Sequence, residues 1–137
     1  MIRQLRLVVT AEDYDETVAF YRDVLGMPVL DVWSSPEGGR GLLLDAGRAT
    51  LELTDPKNAA FVDEVEVGRR VAGHVRVALE VDDARTMTAA AVESGAELVA
   101  GPTETLWQSL NARLEGPGGL QLTLFEELAP ERPTAWS

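Results

Sequence analysis

Two stretches of this chain carry the same succession of hydrophobic and polar positions. From Leu5 to Thr10 apolar and polar side chains alternate, the period of a strand with one buried face; after Asp13, Tyr14, Val18, Tyr21 and Leu25 recur at helical spacing. Val75 to Val81 alternates in the same way, and Met87 and Ala91 mark the apolar side of an Ala-rich helix that follows Asp83. Each helix starts after an aspartate whose carboxylate can accept from the first free N–H groups. Each ends at a glycine, Gly26 or Gly95, able to take the left-handed conformation. Strand-like runs follow both helices: Pro28 to Trp33, Gly41 to Asp45 and Thr50 to Thr54, then Glu97 to Ala100, Leu106 to Glu115 and Leu120 to Phe125. The chain is thus an α+β repeat of two βαβββ modules, with Arg6 falling on Arg76 and Asp13 on Asp83.

The modules cover about residues 1–54 and 73–127 of a single domain 1–127, and the polar stretch between them, residues 55–72, lacks a clear period and reads as a linker or flap. Residues 128–137, with Pro130, Pro133 and Trp136, read as a loosely held tail.

Composition narrows the chemistry. A chain of 137 residues can bury a core without a disulfide or structural metal, and the absence of cysteine removes thiolate ligands and cysteine nucleophiles. Twelve basic against 23 acidic residues give a net charge of −11, which repels phosphate backbones and anionic lipid heads. Neither nucleic acid nor membrane is expected as a partner. No run of about eighteen apolar residues and no apolar leader is present, so the protein is read as soluble and cytoplasmic.

Alternation also assigns a second face to the sheet. With Leu5, Leu7 and Val9 turned to the helix, Arg6, Val8 and Thr10 point the other way; with Val75, Val77, Leu79 and Val81 inward, His74, Arg76, Ala78 and Glu80 lie opposite. By the same rule Thr50 and Glu52 oppose Leu51 and Leu53, and Gln121, Thr123 and Phe125 oppose Leu120, Leu122 and Leu124. One face therefore gathers Arg6, Glu52, Arg76 and Thr123, with His74, Thr50 and Gln121 nearby. Trp33 and Trp107 are expected on strands at the mouths of a cavity, where either can stack on a ligand or pack on a neighbour. Asn111 and Gln108 are polar candidates whose facing the pattern leaves open.

Two βαβββ modules, "TVAFYRDVLGMPVL" after the first strand, "LEVDDARTMTAAAVESGAELVAGP" in the second half and "EGPGGLQLTLFE" near the end together resemble the vicinal oxygen chelate superfamily, which includes glyoxalase I, extradiol dioxygenases and bleomycin-resistance proteins. The resemblance covers about residues 1–127 and implies a curved mixed sheet around a central cavity and a two-fold homodimer. It also implies that the four face positions bind one divalent ion through His or Glu in the metal-using members. Here Arg6 and Arg76 stand where two ligands would be, Thr123 stands where Glu is usual, and Glu52 alone matches. Guanidinium groups offer only donors and repel a cation, so neither a metal nor another cofactor is expected. His74 lies roughly 7 Å along the strand from Arg76, and with Glu52 it makes two ligands where open metal sites commonly need three.

Two uses of the arginines stand side by side. They can present forks to a carboxylate, phosphate or enolate, or they can pair internally, Arg6 with Glu52 and Arg76 with Glu80, as a plug in place of a metal. No serine elbow, glycine-rich phosphate loop or HExxH motif is present. The expected function is binding or sequestration of a small organic molecule. The alternatives are a metal-independent enzyme that stabilises an enolate or oxyanion with Arg6 and Arg76, Glu52 or His74 serving as base, and a divalent-metal enzyme completed by a partner chain.

Overall fold

In the computed structural model, which describes residues 1–117 and 119–129, the predicted repeat is the fold. Strand β1 (Gln4–Thr10) leads to helix α1 (Tyr14–Val18), prolonged by a π-helical segment over Ala19–Val24, and then to β2 (Val29–Ser34), β3 (Arg40–Asp45) and β4 (Thr50–Thr54). After α2 (Pro56–Glu66) the second module runs β5 (Val75–Glu80), α3 (Ala84–Glu93), β6 (Glu97–Glu104), β7 (Ser109–Gly116) and β8 (Leu120–Glu127). The proposed caps are made: Asp13 accepts from the Glu16 amide and Asp83 from the Thr86 amide. The tail beyond Ala129, Trp136 included, lies outside the described residues.

All eight strands form one mixed sheet in the order β2-β3-β4-β1-β5-β8-β7-β6. Within each module the first strand pairs in parallel with the last, β1 with β4 and β5 with β8. The modules join within one chain through antiparallel β1 and β5, whose register is centred on Leu7 opposite Val77, so that Arg6 faces Ala78 and Arg76 faces Val8.

Burial falls into two clusters on the helix-bearing side, one per module. Tyr14, Val18, Leu42, Leu44, Leu51 and Leu53 form the first; Val81, Ala84, Leu110, Ala112, Leu114 and Leu124 form the second. Leu5 and Leu7, expected inside, are 42% and 38% exposed because β1 runs along the seam between these clusters.

Two local expectations are corrected, and a third gains detail. The Tyr14–Val18–Tyr21 stripe does not continue to Leu25, because the π segment adds a residue to the turn, with Leu25 N–H donating to the Phe20 carbonyl; Leu25 is exposed and Met27 packs instead. The stretch 55–72, read as a linker or flap, carries helix α2 between the modules. Asp55 caps α2 by accepting from the Asn58 amide, and Pro56 occupies its first turn, where a missing N–H costs nothing. Finally, Trp107 sits in the β6–β7 turn rather than on a strand. Thr105 and Ser109 close that turn through their hydroxyls and backbone, and Gln108 takes φ 62°, which ends strand geometry. No helix among the described residues is long and apolar enough to cross a membrane.

Candidate functional site

The face of the sheet opposite α1 and α3, together with α2, encloses a cavity of about 320 Å³. Strand alternation brings Arg6, Glu52, Arg76 and Thr123 to its lining, as expected, and β7 and β8 add Ser109, Asn111, Phe125 and Glu127. Asn58, Phe61, Val62 and Glu66 of α2 complete it from above. The exposed lining residues Ser34, Pro36 and Leu106 mark the rim, with Trp33 and Trp107 half-buried beside them. Trp33 can lie across β3 because Gly41 opposes it: a Cβ there would sit 2.5 Å from Trp33 Nε1. Phe61 and Trp107 pack as a tilted pair with ring centroids 6.4 Å apart.

The two repeat-mate arginines have different surroundings. Arg6 Nε donates to Gln4 Oε1 at 3.0 Å, its Nη1 lies 3.7 Å from Glu52 Oε1 and its Nη2 4.0 Å from Glu127 Oε1, while the guanidinium covers the Phe125 ring at 4.8 Å. Arg6 is thus engaged by protein groups, Glu52 among them. Arg76 is 8% exposed, and its Nη1 donates to Thr123 Oγ1 at 2.8 Å. Among the described residues no carboxylate oxygen lies within 4.0 Å of it. Burial and the neighbouring Arg113 pull its pKa below the usual guanidinium value, against the pull of Glu52, Glu66 and Asp63. The expected Arg76–Glu80 pair is not formed: Glu80 instead accepts from Gln4 Nε2 at 3.0 Å and lies 4.0 Å from Arg3 Nε.

Other candidates fall away from the cavity. His74 precedes β5, is exposed and does not line the site, since the ladder to β1 begins at Val75. It is not placed to act as base or as ligand contact in this cavity. Thr50 is buried but spends its hydroxyl on Gln4 Oε1 and the Leu5 carbonyl, tying β4 to β1. Gln121 donates to the Val71 carbonyl and accepts from Arg113, holding the segment after α2. Gln108 is exposed in its turn, whereas Asn111 faces the cavity.

The largest omission from the sequence pattern is the polar cluster that seats α2. Arg113 is 1% exposed; its Nε donates to Glu66 Oε1 at 2.8 Å, and its Nη1 lies 2.9 Å from Asp63 Oδ1 in an ion pair outside hydrogen-bond geometry. Asp63 Oδ2 also accepts from Arg70 and from the Val71 and Ala72 amides, and Glu66 Oε2 accepts from Asn111 Nδ2, which in turn is tied to Ser109. Burial raises the Asp63 pKa, but those amides and the two arginines outweigh it and hold the carboxyl below its ordinary value.

A divalent ion does not fit this donor set. Two of the four face positions are guanidinium groups, a third is a hydroxyl already bonded to Arg76, and no group of three His, Asp or Glu side chains suited to a metal occurs among the described residues. What the geometry offers instead is a mostly apolar, aromatic-rimmed space with a cationic donor on its floor.

The Glyoxalase/Bleomycin resistance protein/Dioxygenase superfamily model matches residues 3–124. Solved structures share the fold at low identity. A methylmalonyl-CoA epimerase in complex with methylmalonyl-CoA and ammonium superposes with a TM-score of 0.68 at 23% identity, covering 97% of this chain and 99% of that one. A hypothetical protein from Bacillus halodurans C-125 gives 0.67 at 16% identity, covering 97% and 98%. A superfamily member from Vibrio splendidus 12B01 gives 0.62 at 14%, covering 90% and 98%. No curated protein matches the chain.

Proposed function

Because this chain belongs to the Glyoxalase/Bleomycin resistance protein/Dioxygenase superfamily yet carries guanidinium groups where a metal would be held, we propose that it binds a small organic molecule without a metal, through an oxygen acceptor placed on Arg76. One observation carries this. Of the Arg76 donors, Nη1 alone has a hydrogen-bond partner among the described residues, while the side chain lines the cavity. A buried cation with free donors is costly until an acceptor completes it. Arg6, by contrast, is occupied by Gln4, Glu52 and Glu127, so the anion-holding role contracts from two arginines to one.

Two methylmalonyl-CoA epimerases with this fold are solved with CoA derivatives, methylmalonyl-CoA in one and 2-nitronate-propionyl-CoA in the other. A CoA handle needs cations at the mouth to meet its phosphates. Among the described residues the rim is formed by Trp33, Ser34, Pro36, Leu106 and Trp107, none of them basic, and the chain carries −11 overall. A compact ligand suits the site better, and we place it in a cytoplasmic homodimer.

The test is calorimetry with small carboxylic acids on wild type and Arg76→Met. Affinity is expected to fall by about 2–5 kcal/mol in the variant, the usual loss on truncating one side of a desolvated charged contact. Equal affinity in both proteins would overturn the assignment. Glu52, on the cavity lining beside Arg6, favours a second reading in which it removes a proton and Arg76 stabilises the enolate. Ligand recovered unchanged, with no deuterium incorporated from heavy water, decides for binding over catalysis.

A further inference from the structure

Resting on that reading of Arg76, we propose that the ligand is a flat aromatic monocarboxylate, its carboxylate on Arg76 and its ring among Trp33, Phe61 and Trp107. Charge sets the first half. Among the described residues the lining carries Arg6 and Arg76 against Glu52, Glu66 and Glu127, and Glu66 is paired with Arg113 beneath it. Arg113 and Arg70 are committed to Asp63 and Glu66, and Arg6 to Glu52 and Glu127, which leaves a single fork to receive one oxygen pair. A phosphate dianion would meet Glu52 and Glu66 on the same lining, where the other arginine among the described residues, Arg6, is already ion-paired. A cation would have to face Arg76 directly.

Shape and surface set the second half. The approach to Arg76 passes from exposed Leu106 and half-buried Trp33, Phe61 and Trp107 to buried Ala78 and Phe125, so a ligand long enough to reach the floor lies along aromatic faces. Trp107 and Phe61 come from separate elements, the β6–β7 turn and α2, and meet at a tilt of 48°, which leaves both rings open to edge or offset contacts with a third. At about 320 Å³ the space is at the small end of ligand cavities, roughly 300–1,000 Å³, and suits a bicyclic acid rather than an extended chain.

The experiment uses four probes on the full chain by calorimetry: 2-naphthoate, its amide, decahydronaphthalene-2-carboxylate and 2-naphthylmethylammonium. Wild type should bind 2-naphthoate best; Arg76→Met should weaken it roughly thirtyfold or more, and Trp107→Leu about tenfold. Trp107→Leu should leave the saturated acid unchanged, a readout that simple misfolding would not produce, and Phe61→Leu should repeat the pattern independently. Equal binding of the flat and saturated acids, each lost in Arg76→Met, would overturn the aromatic slot and leave the Arg76 anchor standing. Preference for the ammonium compound, or no binding by any probe, would overturn both.

Discussion

Arg113 on β7 and Glu66 on α2 meet at 2.8 Å with both side chains almost fully withdrawn from solvent. Replacing Arg113 by Met strands Glu66 and leaves Asp63 with Arg70 and two amides alone, and should lower stability in urea denaturation by about 3–5 kcal/mol. Adding Glu66→Gln to that variant should recover a measurable part of the loss, because the two residues are in contact and their effects do not add.

Asp63 makes stability depend on acid pH. Its folded pKa is held below that of the unfolded chain, about 3.9, so its stabilising contribution is complete above that value and disappears as pH falls through the lower folded one. Wild type should therefore exceed Asp63→Asn in stability at pH 7, and the gap should close between about pH 5 and pH 2 in a series of thermal melts. A constant gap across that window would remove the Asp63 charge from the account.

Arg76→Met should leave the ligand-free protein about as stable as wild type, since among the described residues Arg76 has no carboxylate within ion-pair reach to strand. The cycle with Glu80→Gln should show coupling below about 0.5 kcal/mol, as for independent sites. A loss of about 3–5 kcal/mol rescued by Glu80→Gln would restore the internal-plug alternative.

Protein purified without chelator is expected to contain far less than one equivalent of zinc, nickel, manganese or iron, and EDTA should not move its melting temperature. A stoichiometric metal lost in Glu52→Ala would contradict the donor set described for Arg6, Arg76 and Thr123.

A homodimer is expected by light scattering at roughly tens of micromolar, a working range for a stable interface. Strands β2 and β6 lie at the two edges of the sheet, which a second subunit can cover. A monomer at that concentration would refute it.

How far these features were legible depends on what each side chain faces. Period-two alternation in β1, β4, β5 and β8 placed Arg6, Glu52, Arg76 and Thr123 correctly because one side of those strands packs on helices. Helix α2 escaped because its inward stripe, Ala59, Val62, Asp63 and Glu66, has proper helical spacing but is half acidic, so a search for apolar period finds nothing. Its true signals were Asp55 followed by Pro56 at the start. Arg113 was hidden for the complementary reason: a buried arginine on a strand reads as an outward-facing position until its two carboxylates are known. His74 misleads because it stands one residue before β5 begins, where strand alternation no longer holds.

The antiparallel junction of β1 and β5, centred on Leu7 opposite Val77, gives Arg6 and Arg76 the same backbone address on two halves of one frame. Their occupations differ, however, and that makes the frame a division of labour: one copy is spent on holding strands together and the other is kept available. Exchanging the neighbours of the two arginines, with Thr123 and Glu52 trading places across the frame, would be a test of handedness rather than of composition. The cavity would keep its inventory of groups and lose the end at which the proposed guest is received.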